Sequence, residues 1–128
     1  MLKKNELIHK ARNGDLRAMT EVLRRFNDAR HWAQFHSPRN LAMALSSEAA
    51  ELLSLFLWCT DEGPQPASEQ RRAKVAEEAA DCLICLLNFC DRAGVDLGEA
   101  FLAKLEKNEA NYPVERAIDC AKKYDEFD

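Results

Sequence analysis

A carboxylate in the middle of an apolar helical stripe constrains this chain more than any other feature. Residues 41–58, LAMALSSEAAELLSLFLW, carry Leu41, Leu45, Leu52 and Leu55 at helical spacing. At about 100° per residue, Glu48 lies within roughly 60° of all four leucines. Glu51 follows one turn later, at the edge of the same face. A carboxylate in a core stripe is costly unless it is protonated, paired or bound to a cation. Whatever packs on this helix must therefore answer a charge as well as cover leucines.

A later helix repeats the arrangement. Around Glu78, the side chains of Cys82, Cys85 and Phe89 fall within roughly 40°, and Val75 about 60° away. Asp81 lies one turn further on, with Asn88 on the same flank and Lys74 between them. Spacing i, i+3 brings each acidic pair to about 5–6 Å at the Cβ atoms. Two helices thus each present an E-x-x-[ED] pair inward, Glu48/Glu51 and Glu78/Asp81. As antiparallel neighbours they would converge four carboxylates, each raising the pKa of the others. Protonation relieves one or two. Lys74, Arg71 and Arg72 offer ion pairs from one side only. A hard divalent cation relieves all four, and all-oxygen ligation suits magnesium, with manganese as a substitute, rather than zinc. A di-iron site would need E-x-x-H, but His9, His31 and His36 all lie outside the acidic helices.

The rest of the chain reads as a single all-α domain over residues 1–128, a four-helix bundle in type. Residues 1–14 form a polar arm ending at the turn signal Asn13-Gly14. Asp15 caps a helix striped by Leu16, Met19, Leu23 and Phe26, expected to run to about Trp32. Ser37-Pro38 opens the Glu48 helix, because proline at the first helical position loses nothing by lacking an N–H. Residues 61–68, DEGPQPAS, form a loop, and Ser68 caps the Glu78 helix, which Gly94 ends. Asp96, with Glu99 three residues on, opens the fourth main helix, striped by Leu97, Phe101 and Leu105 and ended by Tyr112-Pro113. A last short helix fits before an acidic tail over residues 116–128. The five cysteines are odd in number, three of them on one helix, which does not fit a secreted disulfide framework. Cys82-x-x-Cys85 on a helix reads as small apolar packing.

Magnesium commonly partners phosphates. Lys104, Lys107, Asn108 and Tyr112 gather at the end of the fourth helix, with Asn108 on its apolar stripe. Trp32, Phe35, His36 and Asn40 precede the Glu48 helix and Trp58 ends it. Aromatic rings with a few hydrogen-bonding groups can sandwich a nucleobase.

The runs FHSPRNLAMALSSEAAELLSLFLW (35–58) and EEAADCLICLLNFCDRAGVDLGEAFLAKLEKNEANYPVE (77–115), in that order, resemble the MazG-like, all-α nucleoside triphosphate pyrophosphohydrolases, nearest to their small dCTP pyrophosphatase branch. The likeness covers roughly residues 15–115, through ExxE…ExxD together with FHxPxNLA, GxDLGEA and KxEKNxxxYP. It implies that Glu48, Glu51, Glu78 and Asp81 bind magnesium and carry catalysis. It implies that Lys104, Lys107, Asn108 and Tyr112 meet phosphates, and that His36, Asn40, Trp58 and, more weakly, Trp32 lie near the nucleotide. It also implies dimers or tetramers that share helices. Two departures stand out. The family's GExGEL is SSEAAEL here, and its Asp-Val-Leu-Ile-Tyr is Asp81-Cys82-Leu83-Ile84-Cys85, so a thiol replaces an aromatic pocket wall.

The expected activity is magnesium-dependent hydrolysis of a (deoxy)nucleoside triphosphate, dCTP or a modified dCTP, to monophosphate and pyrophosphate, as nucleotide-pool housecleaning. Glu51 is the first candidate for a general base and Glu77 the second. The competing readings are a catalytically silent metal- or nucleotide-binding module acting through oligomerisation, and a plain bundle with ion-paired acids. A net charge of −4 gives no reason to expect nucleic-acid or membrane-surface partners. No apolar run approaches a membrane span and the N-terminus has no apolar signal core, so the expected compartment is the cytoplasm, with the nucleus and mitochondrion as alternatives.

Overall fold

The computed structural model describes residues 3–59 and 68–127. They are helical, with no strand among the described residues. The chain divides into two compact units, residues 1–95 and 96–128. The first holds α1 (Lys4–Arg12), α2 (Leu16–Asp28), a 3-10 turn (Trp32–Phe35), α3 (Pro38–Ser54) and α4 (Glu69–Ala93). The second holds α5 (Leu97–Asn111), α6 (Val114–Ala117) and a 3-10 turn (Tyr124–Glu126). The all-α expectation holds. Most of the loop expected at residues 61–68 lies outside the described residues.

Side-chain caps start the main helices where the sequence places them. The Asp15 carboxylate accepts from Ala18 N at 3.0 Å, Ser37 Oγ from Asn40 N at 3.1 Å, Ser68 Oγ from Arg71 N at 3.2 Å and Asp96 Oδ1 from Glu99 N at 3.2 Å. Each such bond satisfies an otherwise orphaned N–H and contributes about 1 kcal/mol. Gly94, at φ 69°, ends α4 in the left-handed region that glycine enters without steric cost.

Two helices end sooner than their periodicity predicts. α2 stops at Asp28 instead of Trp32, and His31 turns left-handed at φ 55°. Six residues of continuous helix would set Trp32 about 120° around the axis from Phe26. The break folds it back, so that the two rings pack edge to face with centroids 5.6 Å apart. α3 stops at Ser54, whose hydroxyl donates to Glu51 O at 2.6 Å and competes with the helical ladder. Beyond it, Phe56 N bonds Leu53 O in a tightened turn, the Arg71 guanidinium takes Leu55 O, and Trp58 sits at φ 62°.

Contacts along the first unit fix its helix directions. Arg24 of α2 meets Asp91 of α4 in a two-pronged ion pair, Nη2–Oδ1 at 2.6 Å and Nε–Oδ2 at 3.3 Å. One turn later on α2, Asn27 Nδ2 donates to Asn88 Oδ1 at 3.0 Å, one turn earlier on α4. The helices are therefore antiparallel. α3 and α4 run antiparallel too, since Leu55 meets Arg71 and Glu48 meets Glu78 and Asp81.

The inward faces follow the stripes. On α3, Leu41 is buried and Leu45, Glu48 and Leu52 are half-buried, while Glu51 is exposed. On α4, Val75, Glu78, Cys82, Cys85 and Phe89 are all half-buried. Among the described residues the buried apolar set is small: Leu7, Ala18, Leu41, Leu87 and Cys90. Burial of a leucine stabilises by about 1.5–3 kcal/mol. The opposite side of α3 stays uncovered, with Met43 61% and Leu53 64% exposed.

Candidate functional site

Glu48 of α3 and Glu78 and Asp81 of α4 each offer a carboxylate oxygen, and these atoms lie within 4.8 Å of one another. The antiparallel pairing of α3 and α4 creates the cluster by setting the faults of two stripes against each other. Glu51, at the edge of the face, stands outside this group of three, but its charge acts on both glutamates. Burial pushes the Glu78 carboxyl above its usual range, and the negative charges of Glu51, Asp81 and Glu48 push it further. Burial likewise raises Glu48, followed by Glu51 and Asp81. No positive group offsets either shift.

Ion pairing therefore does not explain the cluster. Among the described residues, no salt bridge reaches Glu48, Glu51, Glu78 or Asp81. Arg71 is held elsewhere, on Leu55 O and on Cys59 Sγ at 2.7 Å, with its guanidinium 5.5 Å from the Phe56 ring. Glu78 Oε2 is buried without a hydrogen-bond partner. Such an orphan in a native fold calls for an ion or water. An all-oxygen carboxylate set with one orphaned lone pair fits a hard divalent cation of the magnesium or manganese class.

Beside the acids, a cavity of about 530 Å³ opens among α2, the 3-10 turn, the first half of α3 and α4. Phe26, Trp32, Phe35, Leu41 and Ile84 supply its apolar walls, and Asn27, His36, Asn40 and Asn88 its polar edge. Trp32 stands edge to face with His36 at 6.4 Å, and the Arg30 guanidinium covers Phe26 at 3.6 Å. Asn40 Nδ2 donates to Phe35 O at 3.0 Å and Arg92 Nε to His36 O at 3.0 Å, so the aromatic turn is pinned at its C-terminal end. Cys85 lines the cavity, and its thiol is pushed up by burial and then by the charges of Glu48 and Asp81. One wall residue thus borders both the apolar cavity and the acids.

Trp32, His36 and Asn40 line this cavity, whereas Trp58 does not. Trp58 is 100% exposed, past the far end of α3 from Asn40. In the second unit, Lys104 and Lys107 are exposed on α5, and Asn108 is half-buried with its carbonyl accepting from Tyr112 N at 2.8 Å. Tyr112 packs edge to face on Tyr124 and on Phe127, each at 5.9 Å. Phe101 and Leu105, expected in the α5 stripe, are exposed. Asn27 escaped the sequence reading. Its signal was of the same kind as that of Glu48: a polar residue four after Leu23 on an apolar face, here 9% exposed.

Residues 43–127 match the MazG-like family. The chain is 46% identical over 101 residues to dCTP pyrophosphatase 1 of Bos taurus, covering 77% of this chain and 60% of that protein. Against dCTP pyrophosphatase 1 of Homo sapiens it is 45% identical over 104 residues, covering 80% and 61%. The chain thus spans about three fifths of the length of these relatives. The crystal structure of a pyrophosphatase from Archaeoglobus fulgidus superposes with a TM-score of 0.64 at 42% identity, covering 74% of this chain and 89% of that one. With the family matched over most of its residues, and relatives at 42–46% identity, the chain belongs to the MazG-like family.

Proposed function

We propose that this chain hydrolyses a (deoxy)nucleoside triphosphate, dCTP or a modified dCTP, to the monophosphate and pyrophosphate in a magnesium-dependent reaction. The observation that carries the reading is the juxtaposition of an uncompensated carboxylate cluster with an aromatic-walled cavity of about 530 Å³. The names of the dCTP pyrophosphatases and the pyrophosphatase it resembles support the choice of substrate and bond.

Glu48, Glu78 and Asp81 would hold the cation, with Glu51 completing the set. When bound, magnesium supplies positive charge to the phosphates and acidifies water. Glu51, exposed at the rim, would accept a proton from the attacking water. The aromatic turn takes the base and excludes water from one side of it. Lys104, Lys107, Asn108 and Tyr112 carry the phosphate-contacting role that the family likeness gives them. The role is housecleaning of the nucleotide pool in the cytoplasm. The uncovered apolar side of α3, with Met43 and Leu53, supports assembly into a homodimer or homotetramer. No described helix is long and apolar enough to cross a membrane.

The test is incubation of purified protein with magnesium and each canonical and modified dNTP, with products separated. Monophosphate plus pyrophosphate from dCTP is the expected result. No triphosphate consumed, or orthophosphate released without pyrophosphate, contradicts the reading. Nucleotide binding without turnover would leave the silent binding module in its place.

A further inference from the structure

We infer that Asn27 and Asn88 together read the hydrogen-bonding edge of the base and select a 4-aminopyrimidine over its 4-keto analogue. This rests on the pyrophosphohydrolase reading above and adds the residues that set its base preference.

The two amides meet across the α2–α4 interface, where Asn27 Nδ2 donates to Asn88 Oδ1 at 3.0 Å. That bond occupies the acceptor of one side chain and a donor of the other. It leaves Asn27 Oδ1 as an acceptor and Asn88 Nδ2 as a donor. Both residues line the aromatic cavity, and both also line a smaller polar cavity of about 130 Å³ behind it. The amide pair is thus the polar partition at the back of the aromatic-walled space. One turn behind it, the two-pronged Arg24–Asp91 pair holds the same two helices, which limits how far the amides can shift.

The edge of cytosine presents an exocyclic amine beside a bare ring nitrogen, a donor next to an acceptor. Asn27 Oδ1 and Asn88 Nδ2 complement that order. Uracil and thymine present a carbonyl beside an N–H, which is the reverse order, and would set acceptor against acceptor and donor against donor. A site built on buried hydrogen-bonding groups rejects a mismatched analogue because those groups lose their partners. The placement along α4 agrees with this role. Asn88 lies seven residues from Asp81, two turns and about 10 Å along the same helix face. That separation matches a nucleoside laid with its base on the amides and its α-phosphate at the acids.

Asn88→Asp isolates recognition from packing. The carboxylate still accepts the bond from Asn27 Nδ2, but it replaces the donor facing the base with an acceptor. Asn27→Ala removes the other half of the reader. The measurement is kcat/KM for dCTP and for dUTP in wild type and both variants, with calorimetric binding of dCMP and dUMP as a readout that needs no turnover. In each variant the dCTP-to-dUTP ratio should fall on the order of tenfold or more, the scale of one unsatisfied polar group. The dCMP preference should fall with it. If wild type turns over dCTP and both variants keep its ratio, the pair is only a helix contact and the inference is overturned, while the proposed function stands. If wild type turns over nothing but prefers dCMP to dUMP, and Asn88→Asp loses that preference, the function fails and the base reader stands. A wild type that binds dCMP and dUMP equally well and does not discriminate dCTP from dUTP overturns the inference whatever the variants do.

Discussion

α4 carries two polar interruptions of its apolar face, about three turns apart, and each meets its match on a different helix. At Asn88 the partner is Asn27 of α2, a neutral amide that exchanges a hydrogen bond. At Glu78 the partner is Glu48 of α3, a second carboxylate that offers only repulsion. The first contact finds a compatible partner within the chain, and each amide keeps one further polar group for a ligand. The second leaves a buried oxygen without a partner and raises the pKa of both acids. A polar group in a helix interface can thus meet a compatible partner in the chain or one that only repels it. The two kinds look alike in a hydrophobicity pattern and separate only when their partners are known.

The largest expected effect comes from breaking the repulsive contact. Glu78→Gln keeps the shape of the side chain and removes a ligand charge. The kcat/KM for dCTP should drop by at least about a hundredfold, since even supporting residues around metal sites commonly account for 10–100-fold. Steady-state kinetics at saturating magnesium measures it, and a drop of less than threefold would place the metal elsewhere. The same change should not destabilise the metal-free fold, because it removes repulsion.

Breaking the compatible contact should do the reverse to stability. Asn27→Ala leaves Asn88 Oδ1 without its donor, and a stranded buried polar group costs about 1–3 kcal/mol. Urea unfolding of the metal-free protein measures this. Removal of the neighbouring charge pair should cost less. Arg24 is half exposed, so Arg24→Met should lower stability by about 0.5–1 kcal/mol, and less at high salt.

The smallest effect is a pH response, and its sign separates the two regions. Glu48 and Glu78 have folded-state pKa values above the ordinary 4.5, so the metal-free fold binds more protons than the unfolded chain. Their contribution to stability is fully present below about 4.5 and is lost as pH rises through the raised values. Unfolding across that window should show the slope in wild type and a reduced slope in Glu78→Gln. Asn27→Ala should keep the wild-type slope, because amides do not titrate.

Much of this was legible in the sequence because helical periodicity reports which residues share a face. Leu41, Leu45, Glu48 and Leu52 form the inward side of α3, and Ser37, Ser68 and Asp96 start their helices. Convergence of Glu48 with Glu78 followed from two stripes with the same fault. What periodicity cannot carry is contact between elements distant in sequence. Asn27 interrupts an apolar face as Glu48 does, but its partner lies 61 positions away, where periodicity does not reach. The end of α2 was misplaced because Trp32 leaves the helix to reach Phe26, a tertiary gain that outweighs four residues of helical propensity. Trp58 reads as a pocket aromatic by family likeness, yet within one chain it is wholly exposed beyond the end of α3.

The central claim is that the acid cluster is incomplete without a divalent cation. The direct measurement is the thermal midpoint of wild type and Glu78→Gln at neutral pH over a magnesium titration, with no nucleotide present. A cation that binds the folded state alone stabilises it in proportion to the logarithm of its concentration above Kd. The account predicts a midpoint that climbs with magnesium in wild type and stays flat in Glu78→Gln, the variant beginning at or above the metal-free wild type. A wild-type midpoint indifferent to magnesium, or an equal climb in both proteins, would contradict it.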